Sequence, residues 1–338
     1  MTAEQRASGA LAMAPRALGS LAYVTTRAGA DLQRRIRLRA RELGTAPQPP
    51  GARAAGRTRL FVESLYAASE VHARAELAAA RADGGGLVVG VERRFGPDTG
   101  VGAAFSTSLE VLDFAGGADE LSARSLGGVL YVSQRLGPWY MGGSLAWSDL
   151  EIEVVRAIRA PGGLLAERAR ARGGGQRVGL DLEVGRVFDF DGLLVRPGIE
   201  LDYRRVWVDE IRERGAPIAG LGYADQQIHH LSSGVGAEVA YPLWFPFGAL
   251  TPRLRASWEH QLLDAPRQVS ARLLANDSGA SAPLGIRRAA PDRDHLRVEA
   301  GFAAEFGRRL RAWFSYDTRI GLEEYERHRF RIGAEVSL

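Results

Sequence analysis

From Arg57 to the C-terminus, apolar and polar residues exchange places at every second position, the period that sorts side chains onto opposite faces of a β-strand. Near the end, Leu296, Val298, Ala300, Phe302, Ala304 and Phe306 alternate with Arg297, Glu299, Gly301, Ala303 and Glu305. A Gly307-Arg308-Arg309 turn follows, and Leu310, Ala312, Phe314 and Tyr316 resume the pattern. The last stretch sets Phe330, Ile332, Ala334, Val336 and Leu338 against Arg329, Arg331, Gly333, Glu335 and Ser337. Upstream, Val195, Pro197, Ile199, Leu201 and Tyr203 oppose Arg196, Gly198, Glu200, Asp202 and Arg204. The pattern predicts twelve strands, over 57–68, 85–95, 99–112, 121–135, 138–150, 174–190, 192–206, 228–242, 249–262, 294–306, 309–319 and 325–338. The first five are rich in Gly and Ala and carry the weakest alternation.

The connections alternate in length. Short turns fall at Gly96-Pro97-Asp98, Leu136-Gly137-Pro138, Asp189 to Gly192, Trp244 to Gly248 and Gly307-Arg308-Arg309. Long ones span 69–84, 113–120, 151–173, 207–227 and 263–293, with 320–324 the exception. A soluble sandwich would also alternate along each strand, but Greek-key connections give no reason for turns on one rim and loops on the other. An up-and-down barrel does. Phe95, Trp139, Tyr140, Phe188, Phe190, Tyr241, Trp244, Phe245 and Phe247 crowd the short-turn rim, as in the girdle of a membrane barrel. The expected fold is therefore all-β: a 12-stranded antiparallel transmembrane β-barrel over 57–338. No apolar run reaches the ~18 residues of a membrane helix, which leaves a barrel open because its strands need only ~9–11 alternating residues.

The N-terminal segment, 1–56, reads differently. Residues 16–43 predict a helix, with Ala28, Leu32 and Ile36 at steps of four, Gly44 as a stop, and a Pro-rich linker at Thr45 to Arg57. Arg27, Arg34, Arg35, Arg37, Arg39 and Arg41 make the helix too costly for hydrocarbon. The polar strand faces offer it a site: Asp181, Glu183, Glu200, Asp202, Glu238, Glu259, Glu299 and Glu305 are interleaved with Arg196, Arg204, Arg253, Arg255 and Arg297, all expected to face the lumen. Solvated charge on a soluble protein is the plainer alternative.

Composition adds exclusions. All 44 basic residues are arginine and are matched by 40 acids spread along the strands, so the net charge of +4 is no nucleic-acid footprint. There is no cysteine, hence no disulfide and no thiol chemistry. Met1 to Tyr23 is broken by Pro15 and Arg16 and does not read as a signal peptide, so the sequence is expected to be cytosolic or a piece of a longer product. No cofactor is implied: the nucleophile elbow, the HExxH zinc motif, the phosphate-binding glycine loop and the EF-hand pattern are all missing. Asp292-Arg293-Asp294-His295 could hold a metal and Glu259-His260 could pair acid with base, but both lie near loop ends where charge is expected for solvation. Gly84-Gly85-Gly86 and Gly173-Gly174-Gly175 read as flexible ends of long loops.

Val208-Asp209-Glu210, Glu213-Arg214-Gly215, Leu221 to Gln226, Ser257-Trp258-Glu259-His260, Asp264-Ala265-Pro266-Arg267 and Trp313-Phe314-Ser315-Tyr316 carry a likeness. Together with the basic helix, the linker and the twelve strands, the chain resembles the translocator domain of type V secretion autotransporters, closest to the esterase type with a GDSL lipase passenger. The resemblance implies a monomeric barrel in the bacterial outer membrane that exports or displays an N-terminal passenger. Its partners would be outer-membrane lipids and the barrel-assembly machinery, which reads the last strand at Phe330, Ile332, Val336 and Leu338. Two departures limit this: the Gly-Asp-Ser-Leu motif is missing, so no hydrolase activity carries over, and the chain ends in Leu338 where such barrels usually end in Phe. The helix also lacks Asn (the chain's one Asn is Asn276), so Asn–Asn scission of a passenger is not possible there. The alternatives are a passenger-less pore or structural barrel, a barrel enzyme, or a truncated autotransporter esterase.

Overall fold

The computed structural model describes Ser20 and residues 30–45, 58–72, 79–115, 119–159, 166–263, 268–276, 284–287, 293–307, 309–321 and 325–338. Alternation is realised as twelve long strands: β1 (Thr58–Val71), β2 (Ala80–Phe95), β3 (Thr99–Phe114), β4 (Glu120–Leu136), β5 (Trp139–Arg159), β6 (Ala166–Arg186), β7 (Leu193–Val208), β8 (Gln226–Ala240), β9 (Gly248–Leu263), β10 (Asp294–Phe306), β11 (Leu310–Ile320) and β12 (Tyr325–Ser337). Each pairs antiparallel with its sequence neighbour, and β12 returns to β1 with Arg59 opposite Ser337 and Val71 opposite Tyr325. The result is a closed 12-stranded barrel. Closure satisfies every edge, which is what hydrocarbon demands of a sheet.

Register places the apolar set outward. Leu60, Val62, Leu130, Leu145, Ile199, Leu254, Phe302 and Ile332 are exposed, while Glu63, Asp181, Glu183, Glu238 and Arg331 on the alternate positions are buried. One hairpin turn is built on Asp191 and Gly192 with φ of 53° and 93°, a pair of left-handed residues that suits a two-residue reversal between twisted strands. Most of the rim aromatics point outward, but Tyr140 does not. Its neighbours Trp139 and Met141 take the outer face, so alternation turns Tyr140 in, where its hydroxyl donates to Glu183 at 3.0 Å.

The long connections are more ordered than their composition suggests. β5 and β6 have 21 residues each, about twice what a bilayer crossing needs, so their hairpin stands beyond the membrane and takes up most of 151–173. Gly173-Gly174-Gly175 is strand rather than flexible loop: it pairs with Leu150 to Ile152 of β5, and a Cβ at Gly173 would sit 2.3 Å from the Ile211 side chain. Gly84-Gly85-Gly86 is likewise paired, opposite Leu65 to Ala67. The 207–227 and 263–293 connections contain short strands at Ile211–Arg214, Leu221–Tyr223, Gln268–Leu273 and Leu284–Arg287. The first of these pairs antiparallel with β6, with Arg170 opposite Arg214.

Beyond the apolar belt the polarity of the wall inverts. Val206 and Val208 point inward and Arg205 and Trp207 stand on the opposite face, the reverse of residues 195–204 on the same strand. Inward-facing Ala82, Leu112, Leu121, Ile152, Val206 and Ile228 then form a buried apolar core inside the loop-rim half of the barrel.

Candidate functional site

One helix, α1 (Ala30–Thr45), occupies the lumen, with every side chain described from Arg34 to Leu43 buried. The expected start at residue 16 lies outside the described residues apart from the helical Ser20, as do Arg27, Ala28 and the linker at 46–57.

The helix divides into stripes. Ile36, Ala40 and Leu43 pack on Ala104, Val129 and Tyr131 of β3 and β4. The Leu43 side chain lies directly on Gly100: a Cβ there would fall 2.4 Å from it, so a larger residue would force Leu43 to shift. Arg35 and Arg39, one turn apart, face the seam between β12, β1 and β2. Arg35 donates to Glu63 at 2.7 Å, and Arg39 bridges Glu92 at 2.9 Å and Glu335 at 2.5 Å. Phe61 lies under the Arg39 guanidinium at 3.7 Å, and Trp313 orients Glu63 with an indole bond of 2.7 Å. Arg34, Arg37 and Arg41 look toward β6–β9. Arg34 meets Glu259 at 2.5 Å, Arg37 meets Glu200 and, at 3.5 Å, Asp181, and Arg41 meets Glu238 and, at 3.4 Å, Glu183. The helix's own Glu42 takes Arg253 and, at 3.1 Å, Arg311.

The expected lumen residues thus sort into two groups. Asp181, Glu183, Glu200, Glu238, Glu259 and Arg253 touch the helix. The others mostly pair along the wall: Arg196 with Glu238, Arg204 with Asp202, Arg255 with Glu200, Arg297 with Glu259, and Glu299 with Arg331. Glu305, half-buried near the short-turn rim, is 3.9 Å from Arg311. Glu63, Glu92, Glu335 and Trp313 were not among the expected residues, although each occupies an inward position of its strand's alternation. Phe330, Ile332, Val336 and Leu338 lie on the exposed outer face of β12 and its end. His260 contacts Asp294 at 2.8 Å and His295 contacts Glu259 at 2.9 Å, beside Arg34 and Arg297.

Helix direction follows from these contacts. Leu43 sits at Gly100 and its carbonyl accepts from Arg94, both beside the short β2–β3 turn, whereas Arg34 reaches Glu259, eleven positions into β9 from the short-turn rim. The N-terminal end of α1 therefore points toward the long-loop rim.

At that rim residues 209–225 fold back as a lid whose alternate side chains turn inward. Ile211, Leu221 and Tyr223 join the apolar core, and Ala216 and Ala219 pack on Ile158 and Ala169. A buried polar latch holds the lid to β5. Arg156 forks onto Glu213 at 2.9 and 2.6 Å and donates to the Ala219 carbonyl at 2.8 Å. Glu213 also accepts from the Leu221 amide at 2.9 Å and from Tyr223. Burial and the adjoining Glu213 carboxylate push the Tyr223 hydroxyl above its ordinary pKa.

A family model described as the autotransporter beta-domain matches residues 60–317. No curated protein sequence matches. Among solved structures, the chain is similar to the translocator domain of the autotransporter NalP from Neisseria meningitidis, with a TM-score of 0.70, 15% identity, and 92% of this chain and 97% of that one covered. It is also similar to the beta domain of the Bordetella autotransporter BrkA, with a TM-score of 0.57, 15% identity, and 82% and 98% covered. These two likenesses establish the fold. The family match, over most of the chain, establishes membership: this chain belongs to the autotransporter beta-domain family.

Proposed function

We propose that this barrel displays a segment fused ahead of α1 at the cell surface and keeps it attached, with α1 as the tether held in the lumen. Family membership makes the chain an outer-membrane translocator barrel, and export of a passenger is the role of that domain. The observation that carries the finer reading is the arginine stripe set of α1, matched acid for guanidinium by the wall while its N-terminal end points toward the long-loop rim. Withdrawing the helix would leave Glu63, Glu92, Glu183, Glu200, Glu238 and Glu259 crowded in the lumen without their counter-ions, which favours a helix that is retained rather than released. In this reading 1–56 is the passenger-proximal tether and linker, and 57–338 is the barrel.

The barrel is a monomer that contacts outer-membrane lipids through its apolar belt and presents Phe330, Ile332, Val336 and Leu338 to the assembly machinery. It is not a hydrolase. His295 and Glu259, its best acid–base pair, are engaged with Arg34 and Arg297 as part of the tether's cage.

Tags on intact cells test the topology. An epitope placed between Arg159 and Ala166, or fused before Met1, should be labelled, and one at Gly307 should not. Labelling at Gly307 alone would put the short turns outside and remove the display reading.

A further inference from the structure

The outer face of the lid seam carries charge that the tether does not use. Where the 211–214 strand pairs beside β6, Arg170 and Arg172 stand near Arg212 and Arg214 around an open cleft of about 610 Å³, with Glu153 and Glu210 at its margins. The two acids are spoken for: Glu153 by Arg172 at 3.5 Å, and Glu210 by Arg212 at 2.9 Å and Arg272 at 3.2 Å. Arg170 and Arg214 have no ion pair among the described residues, yet they lie directly opposite each other in the ladder. Like charges in that register repel, and an anion between them converts the repulsion into attraction. Planar guanidinium forks converging from two strands suit phosphate oxygens better than a single carboxylate.

Position narrows the ligand. Val178 is the last large apolar residue on the outer face of β6 toward this rim, and Arg172 lies six residues further along the same face. At ~3.3 Å per residue and a tilt near ~45°, that is roughly 14 Å above the edge of the belt. Lipid headgroups lie lower. Phosphorylated sugars that project from surface glycolipids reach this height.

We propose that the Arg170, Arg172, Arg212 and Arg214 cleft binds phosphorylated saccharide of outer-leaflet glycolipid, and that this ligand, by spanning β6 and the 211–214 strand, holds the lid closed. The identity of the saccharide source rests on the outward-facing long-loop rim; the phosphate site itself does not. A ligand that contacts both strands favours the closed lid by its binding free energy.

The test uses the full chain in phosphatidylcholine nanodiscs, with phosphorylated lipopolysaccharide, the same glycolipid after enzymatic dephosphorylation, or inorganic tripolyphosphate in solution. Binding is read by calorimetry, and lid closure by backbone hydrogen exchange over 211–223. Phosphorylated glycolipid should bind and slow exchange at least threefold, and dephosphorylation should abolish both effects. R170Q/R214Q, and R214Q alone as a milder variant, should weaken binding tenfold or more with thermal stability maintained. R81Q/R124Q, which removes exposed arginines elsewhere on the barrel, should leave it unchanged. Equal affinity in R170Q/R214Q, or an equal loss in R81Q/R124Q, overturns the site. Tripolyphosphate binding without glycolipid binding overturns the saccharide assignment. None of these readouts uses a passenger or a cell, so failure here leaves the display reading standing, and reversed tag labelling leaves the phosphate site standing.

Discussion

Arg156→Ala removes the centre of the lid latch. The guanidinium makes two bonds to Glu213 and one to the Ala219 carbonyl, and both charged side chains are almost fully buried. Truncation strands the Glu213 carboxylate in the loop-rim core with only Tyr223 and the Leu221 amide to solvate it. Removing one partner of such a pair costs about 3–5 kcal/mol. Charged to lid opening, at about 1.4 kcal/mol per tenfold change, that is a rise in opening of between roughly a hundredfold and a few thousandfold. The Leu221 amide, bonded to Glu213 at 2.9 Å, is the reporter. Its hydrogen exchange should accelerate by that factor, while amides in the β10–β11 hairpin stay protected. Arg156→Met with Glu213→Gln, which removes both charges, should recover most of the protection, because the penalty lies in the uncompensated charge rather than in the missing pair. Exchange at Leu221 within threefold of the parent in Arg156→Ala would refute the latch. The lid would then be held by its apolar contacts and by Glu167, which accepts from the Ile218 and Ala219 amides.

Two further outcomes concern the tether. Deleting residues 1–48 should raise single-channel conductance in planar bilayers and favour cations, since Glu63, Glu92, Glu183, Glu200 and Glu238 lose their helix arginines; unchanged conductance would mean that the helix does not limit the pore. Gly100→Val should loosen the C-terminal end of α1 and cost about 1–3 kcal/mol of heat-resistant folding, because the new Cβ would fall 2.4 Å from Leu43; a melting profile identical to the parent's would show that the helix does not press on β3 there.

The barrel was legible because lipid and lumen impose opposite chemistries on adjacent residues, and Val195 to Arg204 records that choice position by position. The helix was legible as basic, and the acids of β6–β9 as its partners. Glu63 and Glu92 were harder to read because Gly and Ala dilute the alternation around them, as in Gly84-Gly85-Gly86. Tyr140 could be placed only by phase, one residue from Trp139 on the other face. The lid left the weakest trace. Ile211, Leu221 and Tyr223 look like an irregular connection until β2 to β8 are brought round to receive them, and that depends on long-range closure. The polarity switch at Val206 and Val208 is present in the sequence as a break in phase, but it becomes interpretable only once the edge of the apolar belt is known.

The arrangement of Arg39 also bears on the order of assembly. β1 and β12 meet across nearly the whole length of the chain, the most expensive loop to close and hence a late event in a slow-folding sheet. Arg39 touches Glu92 on β2 and Glu335 on β12, which flank that junction on its two sides. Its full set of counterions therefore exists only after the junction has zipped. A helix that docks early must leave this guanidinium half-satisfied, so the electrostatics favour docking and closure as one concerted final step, with α1 serving as a clasp on the cylinder around it.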